Sequence, residues 1–208
     1  QQKVIASLKP INESLLESTI AYEQLAVDLT AFMAERSTDI NFKNALDFAL
    51  LEDFDHLYRY ANLLEMEEGT SSKELVGGYT EIMPGRPTIA EHRHPNEAVN
   101  KFMCNRLSDP FDKLAANIIP AAEQQTMNYY MNISNIATND AARKLYEEIA
   151  LVEEAHVTQY ESLTDSSATW LEMLLWHEYT ECYLYWSCVQ TESNPYILKI
   201  WAWHLEQE

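Results

Sequence analysis

Two short stretches of this chain place an acid three residues before a histidine: Asp53–Phe54–Asp55–His56 and Glu153–Glu154–Ala155–His156. On a helix, residues three apart share a face. Each stretch therefore offers an oxygen and a nitrogen ligand from one side, a turn apart. Thirty positions before each acid stands another, Glu23 before Asp53 and Glu123 before Glu153. A mixed set of carboxylates and imidazoles suits iron or manganese. Structural zinc prefers Cys and His in four-coordination.

A single shift of 100 positions relates the two sets. It carries Pro10 onto Pro110, Glu23–Gln24 onto Glu123–Gln124 and Thr38 onto Thr138. It also carries Asp53 onto Glu153, His56 onto His156 and Tyr60 onto Tyr160. Apolar positions follow: Ala45 with Leu145, Ala49 with Ile149, Leu57 with Val157. The register holds over about 50 residues without a gap, as a duplicated helical hairpin would.

Helical periodicity supplies the elements that must carry these residues. The pattern predicts helices from Pro10 to about Arg36, Asn41 to Glu67, Asn96 to Leu107, Phe111 to Ala137, Ala141 to Leu163, Ala168 to Gln190, and Pro195 onward. All four glycines (Gly69, Gly77, Gly78, Gly85) fall between the second and third of these, with Pro84, Pro87 and Pro95. A β-rich chain needs turn glycines throughout. We therefore expect an all-α fold: a four-helix bundle with one long crossover and an additional C-terminal helix pair. Residues 1–165 form the bundle, as hairpins 10–67 and 110–163 joined by a crossover over 68–109. Residues 166–208 form the extension.

At ~100° per residue, Asp53 falls in the middle of the stripe made by Phe42, Leu46, Ala49, Leu57, Tyr60 and Leu64, and His56 lies within it. Glu52 and Asp55 fall at or beyond its edge. Glu153 and His156 sit likewise among Leu145, Ile149, Val157 and Tyr160. Leu16, Ile20, Glu23, Val27 and Thr30 share a face of the first helix. Ala116, Ile119, Glu123, Met127 and Tyr130 share one of its counterpart. Four helices thus aim acids inward, with two histidines and no Lys or Arg on those faces. Ionised carboxylates in a dry core are costly unless compensated. Two divalent cations would compensate them.

The pattern of an acid on one helix and acid-x-x-His about 30 residues later, given twice, resembles the ferritin-like diiron carboxylate proteins, which include rubrerythrins, bacterioferritins and manganese catalases. The resemblance covers about residues 10–163. It implies Glu23, Asp53, His56, Glu123, Glu153 and His156 as ligands, with Glu23 and Glu123 terminal and Asp53 and Glu153 bridging. It implies two divalent metal ions, iron first and manganese second, and redox activity toward O2 or peroxide with an external electron donor. Asp53 departs from the family, which usually has the longer Glu there. No CxxC pair supplies a rubredoxin-type centre. Iron oxidation and storage is the alternative activity. A non-catalytic bundle with a structural or vestigial site is the other.

Tyr22, Tyr60, Tyr129, Tyr130, Tyr146 and Tyr160 are expected near the ligand layer. Among them Tyr60, Tyr130 and Tyr160 are the candidates for a redox or hydrogen-bonding role, against the plainer one of filling space. Glu91, His92 and His94 in the crossover form a further acid-x-x-His and His-x-His, equally explained by a solvated turn. Glu178 and Glu208 again stand 30 positions apart. Either they begin a third, incomplete hairpin copy, or the last two helices are a packing pair whose tryptophans supply core or dimer contacts. A homodimer is expected.

The chain has 208 residues, 33 acids and 14 Lys+Arg, for a formal net charge of −19. That excludes a nucleic-acid binder, which needs basic patches, and disfavours anionic membranes. The apolar stretch Trp170–Cys188 carries Glu172, His177, Glu178 and Glu181 and does not read as a membrane span. Three cysteines without a CxxC suggest reduced thiols and a cytoplasmic protein.

Overall fold

A computed structural model describes residues 13–71 and 101–208. Six α-helices make up the regular structure there: α1 (Leu15–Arg36), α2 (Ile40–Glu68), α3 (Pro110–Ile136), α4 (Asp140–Glu161), α5 (Trp170–Thr191) and α6 (Pro195–Gln207). The described residues are all-α. No described helix is long and apolar enough to cross a membrane. The glycines and prolines of the crossover other than Gly69, and Glu91, His92 and His94, lie outside the described residues.

Each helix begins on a side chain that accepts orphan backbone N–H groups. Ser14 and Glu17 form a capping box at α1, and Thr169 and Glu172 repeat it at α5. Asp39, Asp109, Asn139 and Asn194 cap the others, with Pro110 and Pro195 in the first turns of α3 and α6. α2 ends on Gly69 at φ 66°, a left-handed conformation that glycine adopts without a Cβ penalty.

Loops of three residues close α1 onto α2 and α3 onto α4, making two helical hairpins. The hairpins then meet through α1 against α3 and α2 against α4. Each bundle helix touches its own counterpart under the 100-residue shift, as a pseudo-twofold between the hairpins requires. Two apolar clusters fill the bundle. One gathers Leu16, Ile20, Leu57, Tyr60, Tyr130, Tyr146 and Ile149; the other gathers Met33, Phe42, Leu46, Ala49, Ile119, Tyr160 and Leu163. Along α2, α3 and α4, Asp53, His56, Glu123, Glu153 and His156 fall between them, and on α1 Glu23 lies between Ile20 and Val27 of the first.

A buried acid, Asp112, locks one end. Its Oδ2 accepts from Thr38 N (3.1 Å), Thr38 Oγ1 (2.9 Å) and Asp39 N (2.9 Å), tying the α1–α2 loop to the start of α3. α5 packs on α3 and pairs with α6. The predicted helix over Asn96–Leu107 is not seen in its described part. Residues 101–104 are irregular and 105–107 form a turn. Met103 N donates to Leu163 O (2.8 Å) and Asn105 N to Asp165 Oδ2 (2.9 Å). These backbone groups are spent on tertiary contacts, which a continuing helix would forbid.

Candidate metal centre

Between the two apolar clusters, six side chains converge: Glu23 from α1, Asp53 and His56 from α2, Glu123 from α3, Glu153 and His156 from α4. Each is 4 % exposed or less. Their ligand atoms form two groups, and within each group all atoms lie within 4.8 Å of one another. Glu23, His56 and Glu153 make one. Asp53, Glu123, Glu153 and His156 make the other. Glu153 belongs to both.

The distances show how. Glu153 Oε1 lies 3.0 Å from His56 Nδ1, and Glu153 Oε2 lies 3.1 Å from His156 Nδ1. Glu23 Oε2 is 3.8 Å from His56 Nδ1. Glu123 Oε2 and Asp53 Oδ1 are 3.7 and 3.9 Å from His156 Nδ1. The two imidazoles stack with ring centroids 5.8 Å apart. Asp53, expected to bridge as Glu153 does, is found in one group only. Its other oxygen, Oδ2, accepts a hydrogen bond from Thr30 Oγ1 at 2.9 Å. The shorter Asp side chain leaves Glu153 as the one carboxylate common to both groups.

Two polar partners were not expected from the sequence in these roles. Glu52 Oε2 lies 2.6 Å from His156 Nε2. That contact fixes the ring so that Nδ1 faces the carboxylates. Its signal was faint, because Glu52 sits at the margin of the stripe and reaches across to the next helix. Thr30 was visible on the inner face of α1 but carried no sign of its partner.

The tyrosines divide by contact. Tyr130 donates a short hydrogen bond to Glu23 Oε1. Tyr60 and Tyr160 bury hydroxyls that have no hydrogen-bond partner. Tyr60, Tyr130 and Tyr146 pack as a cluster with ring centroids 4.9 to 5.8 Å apart, and Tyr146 OH shares a hydrogen bond with Thr19 Oγ1 at 2.9 Å. Tyr129 and Tyr22 extend the cluster outward.

Electrostatics describe a site balanced by protons. Burial, reinforced by the charge of Glu153, lifts Glu23 and Glu123 well above the usual carboxylate range. Burial pushes Asp53 up to about 6, against the opposing pull of His156. Glu153 goes the other way. Burial would raise it, but the charge of His56 and the hydrogen bond from His156 hold it well below the ordinary value. Burial disfavours charge on the imidazoles too, yet Glu153 raises His56, and Glu123, Glu153 and Glu52 together raise His156. Burial and the nearby carboxylates, Glu23 for Tyr60 and Tyr130 and Glu123 for Tyr160, keep these phenols neutral.

The residues fit divalent ions. Glu23 Oε2 and Asp53 Oδ1 are buried without a hydrogen-bond partner, and both residues belong to the two groups. Buried polar atoms normally have partners. Four carboxylates carry the charge that two divalent ions would neutralise, with the imidazoles neutral. No family model, curated protein or solved structure matches the chain.

Proposed function

We propose that this chain is a ferritin-like dinuclear metal protein that uses two divalent ions, iron in the first instance and manganese in the second, in redox chemistry on O2 or peroxide. The reading is carried by one observation: two ligand groups, each drawn from both hairpins, share the carboxylate of Glu153. When bound, a pair of redox-active ions supplies stepwise electron changes to an O–O bond, replenished by an external donor.

The protein's own part is positional and electrostatic. Glu23 and His56 with Glu153 would hold one ion. Glu123, Asp53 and His156 with Glu153 would hold the other. Glu23, Glu123 and the imidazoles would give up their protons on binding. Tyr130 keeps a hydroxyl proton on Glu23 and Glu52 fixes the His156 ring. The two apolar clusters exclude water along the bundle.

Elemental analysis of protein purified anaerobically, followed by O2 or peroxide addition under an absorption spectrometer, tests the reading. Two equivalents of iron or manganese with a spectral change on oxidant are expected. Full metal retention in both His56→Ala and Glu153→Ala would sink it, as would chelator-treated protein of undiminished thermal stability.

A further inference from the structure

The C-terminal hairpin repeats features of the two hairpins that build the candidate metal centre. A shift of 55 from the second hairpin carries Glu123 onto Glu178, Tyr130 onto Tyr185, Asn139 onto Asn194, Ala142 onto Ile197, Tyr146 onto Trp201 and Glu153 onto Glu208. The first hairpin agrees: Phe42 and Leu46 correspond to Ile197 and Trp201. The equivalences hold in space. All three hairpins turn in three residues. Asp39, Asn139 and Asn194 cap the second helix of each in the same way. Tyr130 and Tyr185 are both buried, as are Ala142 with Ile197 and Tyr146 with Trp201. Partial desolvation and a hydrogen bond with Glu178 raise Glu208. That acid pair sits in the register where Glu23 feels Asp53 and Glu123 feels Glu153.

One face breaks the parallel. Leu16 and Ile20 on α1 and Ile119 on α3 are 6 %, 2 % and 1 % exposed, because the opposite hairpin covers them. Their counterparts on α5, Leu171, Leu175 and Leu174, are 78 %, 67 % and 53 % exposed. On the third hairpin Leu174 borders a cavity against α3, while Leu171 and Leu175 stand open among the described residues.

The first two hairpins show what covers such a face. α1 meets its own counterpart α3, and α2 meets α4. The motif is complementary to a copy of itself across a twofold. We propose that two copies of this chain associate through α5 and α6, the Leu171–Leu174–Leu175 face of one covering that of the other, so that the internal pseudo-twofold of the bundle recurs as a true twofold between molecules. An isologous contact of this kind closes at two copies. The proposal does not depend on metal occupancy at Glu153.

Sedimentation velocity over a concentration series tests it with three proteins. The unmodified chain is expected to be a dimer. The Leu171→Glu/Leu175→Glu double variant is expected to dissociate about 100-fold more readily or beyond, since charges replace the centre of the contact, with helical circular dichroism unchanged. Leu107→Glu, at a side chain 87 % exposed elsewhere, is expected to stay dimeric. If the double variant loses helicity, Leu171→Glu alone carries the same expectation. A monomer at every concentration, self-association that survives the α5 substitutions, or equal dissociation by Leu107→Glu each overturns the proposal.

Discussion

Glu153 faces His56 with one carboxylate oxygen at 3.0 Å and His156 with the other at 3.1 Å. One side chain thus joins two imidazoles from different hairpins. Glu153→Ala should therefore remove both ions, whereas Glu23→Ala should leave one, held by Asp53, Glu123, Glu153 and His156. In the metal-free protein, Glu153→Ala leaves two buried imidazolium groups without their shared partner and should cost about 3–5 kcal/mol in urea unfolding. Equal metal loss in the two variants, measured by elemental analysis, would contradict the shared role.

Stability of the metal-free protein should fall as pH rises. Glu23, Glu123, Asp53, His56 and His156 all have folded pKa values above their ordinary ones. Each contributes stability that is complete below its unfolded pKa and is lost as pH rises through its folded pKa. For Asp53 that window opens at the ordinary value of 3.8 and closes at about 6; for the histidines it opens at 6.5. Glu153, held low, acts in the opposite sense and loses its contribution only in acid. Thermal unfolding of chelator-treated protein should give a lower Tm at about pH 8 than at about pH 5. Saturating manganese should remove most of that difference. A Tm that climbs with pH in the chelated protein would refute the proton-balanced site.

The tyrosines should separate by substitution. Tyr130→Phe removes the donor to Glu23 and should destabilise the metal-free protein by about 1–3 kcal/mol, the range for leaving a buried acceptor without its partner. Tyr60→Phe and Tyr160→Phe remove hydroxyls that have no partner, so each should be neutral or stabilising. Urea midpoints for the three variants decide the matter. A large loss in Tyr160→Phe would mean its hydroxyl is engaged.

Glu52→Ala should weaken metal binding without changing its stoichiometry. Glu52 orients His156 through Nε2, and loss of such a partner typically costs 10- to 100-fold in affinity, here about that for one of the two ions. A chelator competition titration reads it. Unchanged affinity for both ions would make the contact a bystander.

Much of this centre was legible in the sequence because it depends on register. The acid-x-x-His spacing and the shift of 100 are properties of helix geometry, so Asp53, His56, Glu153 and His156 appear from position alone. Glu23 and Glu123 follow from the faces they share with apolar neighbours. The short loops show as narrow breaks between predicted helices, Arg36 to Asn41 and Ala137 to Ala141. Glu52 escaped because its backbone position lies at the stripe's edge, and only the length of its side chain brings it to His156. Which carboxylate serves both groups is a matter of one methylene and of Thr30 engaging Asp53, neither of which periodicity encodes. The stretch before α3 read as helix because its composition permits one, but Met103 and Asn105 bond to the segment after α4 instead.

Neither ligand group is complete within one hairpin: the first takes two residues from α1–α2 and one from α4, the second takes one from α2 and three from α3–α4. Each hairpin, closed by a three-residue loop, is built from contacts local in sequence and can form early and fast. The centre can exist only after the hairpins dock. Metal capture during refolding should therefore lag behind helix formation and report the docking step itself, making the ion a clock for the slowest event in assembling the bundle.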